Sequence, residues 1–414
     1  MPPPAGLTRI IRVFSHRNYA LYMGGMFPNM ITHWMQRLAV GWLAWELTNS
    51  TTWLGVIAAA DLVPMLFLAP IAGAITDRHI PLTLQKLTQS LAVLHSLSLA
   101  IFALGGWMDI WILLGLTIIH GVSHTLHTTS RHSIIPAAVP RAELSTAVAL
   151  DSALFNGSRF LGPMLAGYVI LFAGTGGAFL ANVFGGIVFL GAMFSMDLAP
   201  PVRESGGRRN ILSDIGESFS YVRGHAGIGP VLFCMTVVSI LFRPVQDMLP
   251  GFAGDVFGSD AVGLAWLTSA MGVGATIAAV WIALRARAAG LTMMVFGGFL
   301  GLSFMTLGFI ATPVLWIAVV FAVLSGFALN AMSTGTQALV QLAVEDSFRG
   351  RVMGLYTLIY RGTPAIGALA LGAIAEVFSL RATFAVAAVA GIAIWAATLP
   401  RLRTMRGALE HDNP

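Results

Sequence analysis

The sequence predicts an all-α membrane protein: twelve transmembrane helices in two six-helix halves related by pseudo-two-fold symmetry. Three observations carry this. Hydrophobic residues make up 57% of the 414 and charged residues only 10%, where a soluble domain carries about 25%. Twelve apolar stretches each reach the roughly 20 residues that cross a bilayer. The longest polar stretch, 200–227, divides them six and six. So little charge cannot cover a water-facing surface. That excludes a soluble globular enzyme, a disordered protein and a nucleic-acid binder, despite a net charge of +5. The single cysteine, Cys234, excludes a disulfide scaffold and a cysteine-based zinc site, and reads as a small apolar core residue.

Segment 1 covers 19–44 behind Arg9, Arg12 and Arg17. It is too long for a signal-peptide core and lacks an evident cleavage site, so it reads as a retained first helix. Segments 2 to 6 follow at 52–75, 82–105, 110–130, 147–173 and 176–198. Within the polar stretch, 211–222 suits a short amphipathic helix on the membrane surface or a plain solvated linker. Segments 7 to 12 lie at 228–252, 261–284, 291–311, 314–338, 352–376 and 382–400. Gly and Pro interrupt them, as membrane helices tolerate, and 45 glycines suit close helix approach. The expected organisation is an N-terminal half 1–199, a cytoplasmic linker 200–227 and a C-terminal half 228–414.

Basic residues set the orientation. With the N-terminus inside, Arg381 alone among the 23 faces out, four arginines lie within spans, and the rest are cytoplasmic. The expected setting is a bacterial cytoplasmic (inner) membrane, with both termini inside. The halves also correspond at an offset of 205 residues. Gly121 matches Gly326, Thr129 matches Thr334, Leu150 matches Leu355, Gly162 matches Gly367 and Gly167 matches Gly372. Segments 4 and 5 thus align with segments 10 and 11 without gaps, as two copies of one architecture would.

Local motifs add a resemblance. Gly73-Ala-Ile-Thr-Asp77-Arg78 follows segment 2, and Gly157-Ser-Arg-Phe-Leu-Gly162-Pro163-Met-Leu-Ala-Gly167 lies in segment 5. Trp34-Met-Gln36-Arg37, Trp45-Glu46 and Arg349-Gly-Arg351-Val-Met-Gly-Leu stand at or near segments 1 and 11. With the span count and linker, the chain resembles the major facilitator superfamily, in particular its siderophore and macrolide efflux branch. The first motif is similar to that superfamily's loop signature, and the second to its antiporter signature. The resemblance implies the major facilitator fold, alternating access, and a cavity lined mainly by segments 1, 4, 7 and 10 with help from 2, 5, 8 and 11. It also implies a gating role for Gly73, Asp77 and Arg78. The chain departs from the pattern at Ile80-Pro81-Leu82, where glycine and basic residues are expected, and at Thr117, where many proton-coupled members carry arginine.

Ionisable residues inside spans are costly and mark a wet cavity or a partner. Asp61, amid alanines in segment 2, suits a proton carrier or a static ion pair, for instance with Arg37. Arg243 and Asp247 are four apart and can pair on one helix face, or take part in gating or proton transfer. His120, His124 and His127 form one stripe down segment 4. That stripe suits a polar cavity wall, a proton relay or substrate contact, or a metal site lacking a nearby carboxylate. Arg159 and Arg361 suit an anionic group, or tie helices through carbonyls. Gln36, Arg37, His127, Asn156, Arg159, Arg243, Asn330 and Arg361 are the substrate-binding candidates; Asp61, Asp247, His124 and His120 are the proton-coupling candidates. Gly162, Pro163 and Gly167 are hinge candidates or packing residues. Tryptophans toward the outer ends suit an aromatic belt, with Trp34 also open to substrate stacking.

The expected function is proton-coupled export of a small amphiphilic or anionic molecule. Uptake of a small anion or nutrient is the alternative, and a non-transporting scaffold is a third. The expected partners are a small-molecule substrate, protons and the lipid bilayer, with no nucleic acid, no metal, no cofactor and no catalytic residue. The chain is expected to function as a monomer.

Overall fold

Apolar stretches of this length can satisfy their backbone inside a bilayer only as helices or closed barrels, and the chain forms helices. In a computed structural model, the described residues are 6–131, 134–198, 211–285 and 290–410, and no strand occurs among them. The side chains of Gly73, Asp77 and Arg78 lie outside the described residues, as do linker residues 200–210.

Helix α1 (Gly6–Phe14) leads into α2 (Arg17–Thr48), α3 (Thr51–Arg78), α4 (Pro81–Leu104) and α5 (Ile110–Arg131). A one-turn α6 (Ile134–Ala138) and a 3-10 turn (Arg141–Glu143) precede the long α7 (Leu144–Phe194). Then come α8 (Ile211–Gly224), α9 (Ile228–Leu241), α10 (Pro244–Gly251) and a π-helical turn, Phe252–Val256. The chain continues with α11 (Ala261–Arg285), α12 (Leu291–Ala311), α13 (Leu315–Ala343), α14 (Arg349–Phe378) and α15 (Leu380–Thr398), and α16 (Leu402–Leu409) closes it.

Ten of these segments are long and apolar enough to cross a membrane by length and composition. One is α7, which carries two spans, and α2 is long enough but diluted by Asn18, Asn29, His33, Gln36, Arg37 and Glu46. Counting α7 twice and adding α2 gives twelve spans among the described residues. The expected gap between segments 5 and 6 is a break inside α7. Gly174 sits at φ 66° and ψ −179°, a conformation that only glycine adopts without strain. Segment 7 was expected to be continuous and is broken instead. Helix α9 ends at Leu241 and α10 restarts at Pro244, whose missing N–H leaves a turn at Phe242 and Arg243. The stretch 211–222 is helical within α8. Trp42 and Trp45, expected in an outer belt, are buried inside, whereas Trp107, Trp111 and Trp316 are exposed.

Close backbone approaches divide the chain into two units. The first holds described residues up to Thr48 and from Ala60 to Leu198. In it α2 and α4 pack along α7, and α4 also packs on α5. Its core includes Tyr19, Tyr22, Met26, Phe189 and Met193, with Tyr22 edge-on to Phe189 at 5.8 Å. The second unit holds Asn49–Ala59 and the described residues from Ile211 onward. In it α13 packs on α11 and α12, α15 on α12, and α14 on α9, around Phe242, Phe296, Phe299 and Met332. Two helix starts there are capped from elsewhere in the chain. Ser50 Oγ, Thr51 Oγ1 and Thr52 N donate to Glu376 Oε2 at 2.9, 3.0 and 3.1 Å, at the head of α3. Gly290 N and Thr292 N donate to the Glu410 carboxylate at 2.9 and 2.7 Å, at the head of α12. Both serve the orphan N–H groups of a helix start.

Candidate functional site

In the first unit, Asp61 comes from α3 and His120 from α5. Each lies ten residues into its helix, after Thr51 and Ile110, which at 1.5 Å per residue is about 15 Å, half a bilayer core. His120 Nδ1 and Asp61 Oδ1 are 2.8 Å apart. Four more imidazoles gather round them. His33 of α2 lies against His120 and His124, with centroids 6.0 and 5.7 Å apart and planes 27° and 5° off parallel. His95 of α4 is nearer to His120, at 5.0 Å. Along α5, His124 lies 5.4 Å from His120, and His127 lies 6.5 Å from His124.

His127 is also fixed in its tautomer. Ser130 Oγ donates to Gln85 Oε1 at 2.5 Å, which orients the amide so that Gln85 Nε2 donates to His127 Nε2 at 2.6 Å. That nitrogen is therefore an acceptor, and a neutral His127 carries its proton on Nδ1. Stacked rings show one another their faces, so their lone pairs do not converge on a point. Accordingly, no group of three or more His, Cys, Asp or Glu among the described residues could hold a metal.

Trp34 of α2 stands beside this cluster. The guanidinium carbons of Arg37 and Arg159 lie 5.6 and 5.7 Å from its ring, and Phe155 packs edge-on at 5.8 Å. Cation–π attraction of this kind helps to hold arginines within a bilayer. The approach depends on Gly162. A Cβ there would fall 2.5 Å from Trp34 Cβ and 2.6 Å from the Ile31 carbonyl, so only glycine lets α7 meet α2 this closely. Pro163 and Gly167 are buried next to it. The other candidates of this unit face protein groups. Gln36 is 4% exposed and accepts from Asn182 Nδ2 at 2.9 Å, while Asn156 Nδ2 donates to Ser152 O of its own helix at 2.8 Å.

In the second unit, Arg243 occupies the break between α9 and α10, with its guanidinium carbon 4.1 Å from the centre of the Tyr360 ring. One of its terminal nitrogens, Nη1, is buried without a hydrogen-bond partner. Tyr356 stacks on Tyr360 at 5.9 Å and 7°, and donates its hydroxyl to Ser333 O at 3.0 Å. Arg361 follows Tyr360 on α14, and Asp247 lies in the first turn of α10. Asn330 Nδ2 donates to Ala275 O at 2.7 Å. Sequence reasoning missed His33, His95, Gln85, Tyr356 and Tyr360. It also missed that Arg131 Nη2 donates to both Asp151 oxygens at 2.7 and 2.9 Å, with Arg131 Nε donating to Tyr22 OH at 3.3 Å. Arg131 so neutralises Asp151, which leaves Arg37, Arg159, Arg243 and Arg361 against Asp61 and Asp247 within the spans.

The sequence matches the family model described as transmembrane secretion effector over residues 14–412. It is 21% identical over 398 residues to the staphyloferrin A transporter of Staphylococcus aureus, covering 95% of this chain and 98% of that protein. It is 24% identical over 389 residues to the multidrug efflux pump Tap of Mycobacterium tuberculosis, covering 91% of each. Among solved structures, the nucleoside transporter NupG superposes with a TM-score of 0.71 at 11% identity, over 93% of this chain and 99% of that one.

Proposed function

Because this chain belongs to the transmembrane secretion effector family, within the major facilitator superfamily, and is thus a multi-pass secondary transporter of a small molecule and not an enzyme, we propose that it exports its substrate in exchange for protons. The substrate is a small amphiphilic or anionic molecule. The transporter works as a monomer in a bacterial inner membrane with both termini in the cytoplasm. Its two six-helix halves are joined by a cytoplasmic linker, and Gly73, Asp77, Arg78, Gly162, Pro163 and Gly167 serve the conformational change. The single observation that supports proton coupling is the Asp61–His120 pair, 2.8 Å long inside a cluster of five imidazoles. A carboxylate and an imidazole at this distance exchange one proton without stranding a bare charge in the bilayer. His120 has a second nitrogen through which that proton leaves. Asp61, His120, His124 and Asp247 are the proton-handling residues. Arg37, Arg159, Arg243, Arg361, Gln36, His127, Asn156 and Asn330 are the substrate-side residues.

The test uses everted vesicles with an acid interior, challenged with cationic amphiphiles and with anionic chelators. A compound that dissipates the gradient in wild type and not in Asp61→Asn is the expected result, with both proteins present at equal folded level. Equal dissipation by the variant removes Asp61 from the coupling. A second reading, uptake of a small anion, is favoured by one observation, the buried and unpartnered Nη1 of Arg243. Accumulation of an anion in right-side-out vesicles, lost in Arg243→Gln, distinguishes it.

A further inference from the structure

Helix α1 takes no part in the transport site. At 100° per residue, Ile10, Ile11 and Phe14 fall on one face and Arg9 and Arg12 on the other, with Val13 at the boundary. Val13 is completely buried, and Phe14 packs edge-on against Tyr19 at 5.5 Å. The helix is therefore fixed to the start of α2. Its apolar face is nevertheless uncovered: Ile11 is 63% exposed and Phe14 41%. A helix pinned on one side, apolar below and cationic above, fits the plane where headgroups meet acyl chains.

The cationic face is not flat. Arg9 and Arg12, with Ala142, Glu143 and Thr146 at the start of α7, line a recess of about 360 Å³. Glu143 is held by His16, Oε2 to Nε2 at 2.8 Å. Neither Arg9 nor Arg12 takes part in an ion pair among the described residues. Two guanidinium groups and one carboxylate leave the recess one positive charge in excess.

We propose that this recess binds the headgroup of an anionic membrane phospholipid of the phosphatidylglycerol type, whose acyl chains run past Ile10, Ile11 and Phe14. One phosphodiester charge matches the excess, and guanidinium groups are suited to phosphate oxygens. The glycerol hydroxyls find an acceptor in Glu143 and a hydroxyl partner in Thr146. A zwitterionic lipid would bring an ammonium group toward two arginines. Free phosphate would leave the apolar face uncovered.

The experiment uses the purified, delipidated full chain in neutral detergent. Its apparent melting temperature is followed against phosphatidylglycerol, phosphatidylethanolamine and phosphatidylcholine of equal chain length, and against inorganic phosphate. Phosphatidylglycerol alone is expected to raise it by several degrees. The half-maximal concentration is expected to rise at least five-fold in the double variant Arg9→Gln with Arg12→Gln, and to stay unchanged in Arg403→Gln, an exposed arginine of α16. An equal response of the double variant, a matching effect of phosphatidylethanolamine or phosphate, or a matching loss in Arg403→Gln overturns the assignment. Photoactivatable phosphatidylglycerol on wild type gives a reading that does not need the variant. Crosslinks on residues 6–17 and 141–146 support the site, and crosslinks confined to the spans overturn it.

Discussion

His95 is 6% exposed, and neither of its ring nitrogens has a well-formed hydrogen bond. A buried polar group left so costs about 1–3 kcal/mol. Replacing it by an apolar side chain of similar size removes that cost, so His95→Leu is expected to raise the apparent melting temperature by a few degrees. Thermal unfolding of both proteins in one detergent checks this, and a lower melting temperature would show that the imidazole has a stabilising partner. The same residue shows how far the sequence could be read. The stripe of His120, His124 and His127 is legible because one helix repeats every 3.6 residues. His33 and His95 stand on other helices, and nothing in a linear pattern sets the rotation of α2 and α4 against α5. Asp61 was legible as a costly charge, but its partner, 59 residues away, was not. Gln36 and Asn330 were legible as polar groups within spans, but their hydrogen bonds to Asn182 and to the Ala275 carbonyl, on other helices, were not.

At the scale of elements, chain breaks were the least legible feature, because they depend on backbone angles that composition only permits. Gly174 at φ 66° and ψ −179° turns α7 back for its second span. Gly174→Ala forces a side chain into a region that costs of order 1–3 kcal/mol. A lower melting temperature is expected, with no loss of stability for Gly157→Ala, a helical glycine with open space where its Cβ would lie. The start of α9 makes a prediction about pH. His225 Nδ1 accepts from Gly227 N at 3.1 Å and Ile228 N at 3.2 Å. This cap needs a lone pair and so a neutral ring. Burial pushes the His225 imidazole below its ordinary value, and the nearby Glu345 carboxylate pulls it only partly back. A histidine with a lowered value in the folded state is protonated first when unfolded. Its contribution is therefore complete above the unfolded value, near 6.5, and is lost as pH falls from there toward the folded value. Hydrogen exchange at the amides of Gly227 and Ile228 is expected to show lower protection at pH 5 than at pH 7.5, after correction for intrinsic rates. His225→Asn keeps an acceptor and is expected to abolish the difference.

For the molecule as a whole, charge decides orientation, because a basic residue resists transfer across the bilayer while the loops are still short. Only Arg381 stands on the side opposite the other basic loop residues when the N-terminus is placed inside. Reversal would carry Arg9, Arg12, Arg17, Arg401, Arg403 and Arg406 across at the two termini alone. The prediction is open to cysteine labelling, because the natural Cys234 is buried and contributes no background. Pro313, in the loop between α12 and α13, and Thr404, on α16, are on opposite sides in the proposed orientation; Pro313 and Thr404 are both exposed. Pro313→Cys is expected to react with a membrane-impermeant maleimide on intact spheroplasts, and Thr404→Cys only after the membrane is opened. The reverse pattern would place the termini outside, and labelling of both on intact spheroplasts would break the even span count. The charge rule makes a second demand on the same pair. If the arginines at the two ends set the orientation, replacing Arg401, Arg403 and Arg406 with glutamine should leave Thr404→Cys protected, because Arg9, Arg12 and Arg17 still hold the first span. Protection lost in that variant would mean that the C-terminal arginines, and not the first helix, fix how the chain sits.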